Sequence, residues 1–134
     1  MLYRENRRLN MPSIAIIGAS TDRSKFGNKA VRIYAKKGYK VYPVHPKEKE
    51  IEGIKAYPTI ADVPDLYLDR ISFYVGPAVG LRVIDEVAKK KVGEVWLNPG
   101  AESPELIAKA EKMGLHVIAA CSLVDIGANP DEFE

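Results

Sequence analysis

Residues 13–27, SIAIIGASTDRSKFG, decide the fold that this sequence predicts. The apolar run 14–17 has the length of a buried strand and stops at Gly18. A polar loop follows, and from Gly27 onward the apolar residues recur with helical spacing. A buried strand that stops at a glycine and continues into a helix is the usual start of an α/β nucleotide-binding domain. Backbone N–H groups in such a turn, together with the helix N-terminus, can hold a phosphate.

The rest of the chain continues this alternation of strands and helices. A helix stops at Gly38, and the sequence predicts further strands at 40–44, 70–75, 94–97 and 116–120 and further helices over 81–88 and 103–113. Such alternation predicts a parallel sheet with helices on both faces. We therefore predict an α/β fold, a Rossmann-like doubly wound sheet of about five strands in one domain, with strands ordered 3-2-1-4-5 in chain numbering.

The segment between the second and third predicted strands has weaker signals. Its charged stretch 47–52 is predicted to be a solvated loop, and 54–57 a short extended piece. Thr59 is a candidate cap for one helical turn over 60–63.

The predicted organisation is an N-terminal arm (1–11), one domain (12–125) and a C-terminal tail (126–134). The arm has no apolar core and does not resemble a signal peptide. Contact of Arg4, Arg7 and Arg8 with an anionic surface is the less favoured alternative to a frayed or edge-docked arm.

Composition narrows the class of protein. The 134 residues carry a formal net charge of +2 and one cysteine, Cys121. This charge gives no strong attraction to nucleic acid or acidic membranes, and no apolar run approaches the roughly 18 residues of a membrane span. A single cysteine forms no internal disulfide, which fits a cytoplasmic location. Two distant histidines and one cysteine give no metal-ligand spacing, so we expect no metal. The absence of glutamine and the abundance of Lys and Glu favour a thermophilic source.

The first turn differs from the dinucleotide fingerprint. G-x-G-x-x-G would need glycines where this chain has Ser20 and Arg23. The second predicted strand ends in PVHPK (43–47), which has no acid of the kind that binds the ribose hydroxyls of NAD. A neutral or basic strand end favours a ligand with an extra phosphate near its ribose. NADP and coenzyme A both have one.

Four motifs occur together in the order typical of one family: GAS at 18–20, KFGN at 25–28, YPVHP at 42–46 and YPTIADVP at 57–64. With these motifs the chain resembles the CoA-binding domain of succinyl-CoA synthetase α subunits and ADP-forming acyl-CoA synthetases. It resembles most the small stand-alone proteins that consist of this domain, over residues 12–125. The resemblance implies coenzyme A as the ligand.

The resemblance also implies a role for each part of the site. Gly18, Ala19 and Ser20 would bind the pyrophosphate, and Arg23 and Lys25 would neutralise phosphate charge. The other implied ligand contacts are Phe26, Gly27 and Asn28 at the helix start, Pro43, Val44, His45 and Pro46 at the adenine–ribose end, Val75, Gly76 and Pro77 along the pantetheine arm, and Asn98, Pro99 and Gly100 at the thiol end. The residues leave open whether His45 binds the nucleotide or only caps the strand end.

Cys121 follows the last predicted strand and is therefore expected at the same edge of the sheet. It is either a small core residue or a thiol that forms a mixed disulfide with CoA. No catalytic constellation is apparent. The phosphohistidine of the synthetases lies in a domain that this sequence does not contain, so the resemblance implies no ligase activity. An NADP-binding oxidoreductase-like domain and a non-catalytic subunit of an acyl-CoA synthetase complex remain alternatives to a CoA-binding protein; the protein partner is unknown.

Overall fold

The structure is a computed structural model that describes residues 11–129 and 131. Nearly all of the predicted N-terminal arm, with Arg4, Arg7 and Arg8, lies outside the described residues, as do positions 130 and 132–134 of the predicted tail. Within the described part, strands and helices alternate as the sequence predicts. The strands are β1 Ser13–Ile17, β2 Lys40–Val44, β3 Glu50–Ile51, β4 Ile54–Lys55, β5 Tyr67–Phe73, β6 Lys91–Leu97 and β7 Val117–Ile118. The helices are α1 Phe26–Lys36, α2 Pro77–Val87, α3 Pro104–Lys112 and α4 Ser122–Asp125, with a 3₁₀ turn at Ile60–Asp62.

β1 lies inside a five-stranded sheet, and its side chains alternate between two cores. Ile14 and Ile16 pack on one face with α1 and Leu123 of α4. Ala15 and Ile17 pack on the other face with α2, α3 and the 3₁₀ turn. Because both faces are covered, all five β1 residues are buried, as expected for a strand that reads as a continuous apolar run. The predicted α/β fold with a parallel five-stranded sheet is confirmed.

The predicted strand order is wrong. The observed order is β2-β1-β5-β6-β7, which is 2-1-3-4-5 when only the five sheet strands are numbered. The third predicted strand, β5, pairs with β1 and not with β2: Ile14 is opposite Arg70, and Ile17 is opposite Phe73. The direction of chain progression therefore reverses between β1 and β5, and this reversal is where parallel α/β sheets open a crevice for ligands.

Pro43 and Tyr57 explain why β5 does not pair with β2. The backbone of Tyr57 covers the outer edge of β2: its N–H donates to the Pro43 carbonyl at 2.9 Å, and its carbonyl accepts from the N–H of His45 at 3.0 Å. On a strand, the N and O of one residue point to the same side, so the missing N–H of Pro43 also faces this outer edge. A strand interior that contains proline belongs at an edge, and that signal is present in the sequence.

The segment between β2 and β5 is more ordered than the sequence predicts. The predicted solvated loop contains Glu50–Ile51, which pairs antiparallel with Ile54–Lys55 in a short hairpin. Ile51 is buried and joins the core on the α1 face. The predicted helical turn after Thr59 is present: the Thr59 N–H and hydroxyl both donate to the Asp62 carboxylate. The hairpin of β3 and β4 lies next to the loop that precedes α1, as described below.

Candidate functional site

An open cleft of about 350 Å³ lies at the carboxyl ends of β1, β5 and β6. Three loops form it: the loop from β1 to α1, the loop from β5 to α2 and the loop from β6 to α3. The lining residues are Gly18, Ser24, Lys25, Phe26, Gly27, Tyr74, Val75, Gly76, Pro99, Gly100 and Ala101. The cleft therefore occupies the position at which the strand order reverses, between β1 and β5.

Two glycines bring the backbone of the cleft floor together. Gly18 has φ +90°, and a methyl group on it would lie 2.8 Å from the carbonyl oxygen of Tyr74. A methyl group on Gly27 would lie 2.1 Å from the carbonyl oxygen of Gly18. The first turn of α1 thus packs directly on the end of β1. Side chains larger than hydrogen are excluded at both positions, and the resulting surface is mostly peptide backbone.

The loop between β1 and α1 is held by short-range hydrogen bonds. The N–H of Asp22 donates to Ser20 Oγ at 3.0 Å. The Asp22 carboxylate accepts from the Ser24 hydroxyl at 2.7 Å and from the Ser24 N–H at 3.0 Å. These bonds from Ser24 stabilise the ionised form and lower the pKa of Asp22. The loop therefore reaches the start of α1 in a fixed shape.

The start of α1 is electrically positive. Lys25 occupies the N-cap position, no side chain caps the first turn, and the first turn has no acidic residue. The N–H groups of Phe26 and Gly27 precede the first intrahelical donor, so the helix itself offers them no acceptor. α2 also starts at the cleft, after Gly76, with neither a side-chain cap nor an acid. Among the lining residues, only Lys25 carries a charge at neutral pH, so an anion is the ligand that this surface favours.

Asn28 and Arg23 bind protein atoms behind this turn. Asn28 is fully buried, and its Nδ2 donates to the carbonyl oxygen of Ser20 and to Glu52 Oε2, both at 2.9 Å. Its Oδ1 accepts from Arg32 Nε at 2.7 Å. Arg23, which is mostly exposed, forms an ion pair with Glu52, with Nε and Oε2 at 3.3 Å. Asn28 therefore fixes the loop from inside the protein, whereas Arg23 reaches the surface.

The end of β2 does not line the cleft. Pro43 and Val44 are buried, whereas Pro46 is exposed. His45 Nδ1 accepts hydrogen bonds from the N–H groups of Lys47 and Glu48, each at 3.0 Å. His45 thus caps the strand end, and its Nε2 is the ring nitrogen that remains available to a ligand. His45 can therefore both cap the strand end and bind a ligand, because the two roles use different ring nitrogens.

Asn98 belongs to a buried hydrogen-bond network and not to the cleft surface. Its Nδ2 donates to Ser72 Oγ and to the Phe73 carbonyl, both at 2.8 Å, and its Oδ1 accepts from the Ser122 N–H at 2.9 Å. The Ser122 hydroxyl also contacts Ser72 Oγ at 2.9 Å and the Tyr74 hydroxyl at 3.2 Å. This network fastens α4 to the end of the sheet. Burial raises the pKa of Tyr74, so its phenol remains neutral at physiological pH.

Cys121 is the N-cap of α4, and its side chain is partly buried against the core on the α1 face. It is a free thiol. It does not line the cleft, but it lies near Tyr74, which does. The thiol therefore lies near a residue of the cleft lining without being part of that lining.

The structure brings a subset of the predicted residues to one cleft: Gly18, Lys25, Phe26, Gly27, Val75, Gly76, Pro99 and Gly100. Ala19, Ser20, Arg23, Asn28, Pro43, Val44, His45, Pro46, Pro77, Asn98 and Cys121 lie outside its lining. Ser24, Tyr74 and Ala101 line the cleft but were not predicted. Each is the direct neighbour of a predicted residue, so extending the predicted loops by one residue would have found them. Ala19 is buried in the core on the α1 face, so it can offer a ligand only its backbone.

Two kinds of functional feature are absent from residues 11–129 and 131. These residues contain no group of three or more His, Cys, Asp or Glu side chains placed to hold a metal ion. They also contain no helix with the length and apolar character needed to cross a membrane.

Comparison with known proteins identifies the domain. The profile of the CoA binding domain matches residues 12–127. The α subunit of an ADP-forming acetate–CoA ligase II from Pyrococcus furiosus is 31% identical over 120 residues, which cover 81% of this chain and 26% of the relative. The chain thus spans about a quarter of that relative's length.

Solved structures give the same result. A conserved hypothetical protein from Pyrococcus furiosus matches with a TM-score of 0.78 and 36% identity, covering 86% of this chain and 99% of that one. A dinucleotide-forming acetyl-coenzyme A synthetase from Candidatus Korarchaeum cryptofilum, in complex with phosphate and ADP, matches with a TM-score of 0.70 and 33% identity, covering 86% of this chain and 27% of that one. With a cleft at the strand reversal, a backbone-lined turn and a family profile over most of its length, the chain belongs to the CoA-binding domain family.

Proposed function

We propose that this protein binds coenzyme A or an acyl-CoA in the cleft between β1, β5 and β6. The observation that carries the proposal is the start of α1, whose N–H groups no side chain caps. Its first turn has no capping side chain and no acid, Lys25 is its N-cap, and the cleft lining has no carboxylate. Such a surface favours a polyanion, and in a domain of this family a CoA pyrophosphate is the polyanion expected.

The ligand would follow the loops in order. The pyrophosphate would lie on the turn Gly18–Ser20 and the first N–H groups of α1, with Lys25 and Arg23 contributing charge. The adenine and ribose would extend toward the partly buried His45, through its Nε2, and the exposed Pro46 at the end of β2. The pantetheine arm would pass Val75, Gly76 and Pro77.

At the thiol end, Pro99 and Gly100 would form the contacts. They are exposed, whereas the side-chain amide of the neighbouring Asn98 is already bound to protein atoms. Asn98 would therefore support this end of the cleft and not touch the ligand.

Isothermal titration calorimetry with CoA, NADP and NAD tests the proposal. We expect CoA to bind and to raise the melting temperature with the logarithm of its concentration above Kd, and NAD not to bind. Lys25→Gln should weaken CoA binding several-fold. Lys37→Gln removes the same charge at the other end of α1 and should leave binding unchanged. Binding of NADP without CoA would instead favour the oxidoreductase-like alternative.

A role as a subunit is the second candidate. One curated relative is an α subunit of a ligase, and this chain spans only 26% of it. The chain would then present CoA to a partner that supplies the chemistry. Purification of the tagged protein from its own source, at the native expression level, should then recover a second chain in constant ratio. Recovery of the chain alone would favour a binding protein. The cytoplasmic location and the thermophilic source remain predictions.

We also propose that Cys121 can form a mixed disulfide with the ligand. The Cys121 thiolate would attack CoA disulfide, so that one Cys121–CoA bond forms, the CoA–CoA bond breaks and CoA thiolate leaves. Intact-mass spectrometry after incubation with CoA disulfide should show one CoA adduct that dithiothreitol removes. Cys121→Ser should show none. An unmodified wild-type protein under these conditions would contradict this proposal without affecting reversible CoA binding.

A further inference from the structure

Glu52 is an unusual residue in the hairpin between β3 and β4. Its φ is +52°, and it is the one non-glycine residue with positive φ in the part of the chain that the structure describes. This left-handed conformation is unfavourable for most residues that carry a side chain. A two-residue hairpin turn favours positive φ at both of its positions, here Glu52 and Gly53 (φ +77°). The Glu52 side chain makes its contacts on a different part of the molecule.

Those contacts join Glu52 to Arg23 in the loop that precedes α1 and to Asn28 in the first turn of α1. Glu52 Oε2 accepts a hydrogen bond from Asn28 Nδ2 at 2.9 Å and lies 3.3 Å from Arg23 Nε. The Glu52 side chain is only 24% exposed, whereas that of Arg23 is 60% exposed. One carboxylate oxygen therefore binds two residues of the segment 18–28, far from Glu52 in the sequence.

The ion pair has a consequence for anion binding. Arg23 is a candidate phosphate contact, but Glu52 already offsets part of its charge. A ligand phosphate near Arg23 must either displace this carboxylate or approach it and be repelled. A strongly charged phosphate competes better than a weakly charged anion because its attraction to the guanidinium is larger.

We propose that Glu52 sets the affinity and charge selectivity of the cleft as the internal counter-ion of Arg23. This inference rests on the proposed function, since it concerns phosphate groups of the same ligand. In the free protein, Glu52 holds Arg23 against the hairpin. A phosphorylated ligand draws Arg23 away from Glu52, while Asn28 keeps its bond to Glu52 and maintains the loop. Glu52 acts through Arg23 and is thus a positioning residue.

Glu52→Gln tests this role, because the amide keeps an oxygen for Asn28 and removes the negative charge. We expect CoA to bind about threefold to fivefold more tightly, the range for a partly exposed charge pair. The gain should shrink as ionic strength rises. Glu50→Gln, which removes the same charge from the same hairpin, should not change the affinity. A purely structural role for Glu52 predicts the opposite sign, namely weaker binding and a lower melting temperature.

A double-mutant cycle with Arg23→Gln completes the experiment. If Glu52 acts through Arg23, Glu52→Gln should give no gain in the Arg23→Gln background. An unchanged or lower affinity of Glu52→Gln, an equal gain in the Arg23→Gln background or an equal gain from Glu50→Gln each overturns the inference while leaving the proposed function standing. Failure of the unaltered protein to bind CoA overturns both.

Discussion

Helices α1 and α3 start in equivalent places, at the carboxyl ends of parallel strands, but their first turns differ. In α3, Ser103 Oγ accepts a hydrogen bond from the Leu106 N–H at 3.0 Å, Pro104 needs no acceptor, and Glu105 adds a negative charge. α1 has none of these features and has Lys25 at its N-cap.

The difference shows that the start of α1, unlike that of α3, leaves N–H groups open to an anion. In α3 the chain satisfies its own N–H groups and offsets the helix dipole, so that end is structurally complete. In α1 the chain leaves these groups open and places a cation beside them, which costs stability in the absence of an anion. The sequence SKFG, against ESPE at α3, thus distinguishes the helix start at which we propose that the phosphates bind.

The largest expected effect is on stability and comes from the close contact between Gly27, at the start of α1, and Gly18, at the end of β1. Gly27→Ala would place its methyl group 2.1 Å from the Gly18 carbonyl oxygen. We expect a loss of about 3 kcal/mol in the free energy of unfolding, because backbone must move on both sides of the contact. Urea denaturation measures it. Gly76→Ala at the start of α2 is the control, since its methyl group would meet nothing within 4 Å. Equal midpoints for the two variants would show that α1 does not need its close approach to β1.

The next effect exchanges the two types of helix start. Lys25→Asp gives α1 an acidic N-cap like those that nature prefers, so the helix should gain about 1 kcal/mol. The same carboxylate would repel the ligand phosphates, and CoA affinity should fall by more than about tenfold. Thermal melts and calorimetry on one preparation measure both quantities. Lys25→Gln removes the positive charge without adding a negative one, so it separates these two effects. A variant that is more stable and still binds CoA normally would contradict the assignment of this helix start to the ligand.

Ser103→Ala is the reciprocal change at α3. The loss of the bond from the Leu106 N–H should lower the free energy of unfolding by about 1 kcal/mol, since the N–H of a first turn loses its acceptor. CoA affinity should not change once the protein is folded, because this helix start is closed to the ligand. A fall in affinity comparable to that of Lys25→Asp would show that α3 shares the binding role.

The smallest effect is a pH dependence in the loop before α1. The hydrogen bonds from Ser24 lower the pKa of Asp22 below its unfolded-state value of 3.8. The stability that the carboxylate contributes is therefore complete above that value and is lost as the pH falls through the lower folded-state pKa. Asp22→Asn should be slightly less stable than the unaltered protein at neutral pH, and the difference should close in acid. Melting temperatures of both proteins across this range provide the test, and a gap that is independent of pH would refute it.

The elements of this fold were predictable because their signals are local. The apolar run at 14–17, the glycine that closes α1 and the S-P-E start of α3 each depend on neighbouring residues. Strand order was not predicted correctly, because it depends on which edge of β1 receives β5 after a long connection. Pro43 indicated that β2 is an edge strand, but the position of one strand does not by itself determine the order of the other four.

The site was predictable to the level of its loops but not of all its side chains. Gly18, Lys25 and Gly76 lie at the cleft because their loops do. Asn28 and Asn98 turn inward, since each has several backbone and side-chain partners in the protein interior. A polar residue at a strand or helix end has the same sequence signature in both cases. Tertiary packing alone determines whether it faces ligand or core.

The two outer strands of the sheet have a consequence for behaviour in concentrated solution. The Pro43 backbone has no donor on the free side of β2, and Tyr57 occupies that side. On the opposite border, β7 is only two residues long. Along these two edges of the described sheet, neighbouring molecules therefore find no long row of free amide and carbonyl groups with which to continue the sheet, a common route to aggregation. We expect the folded protein to resist intermolecular β-pairing even when crowded.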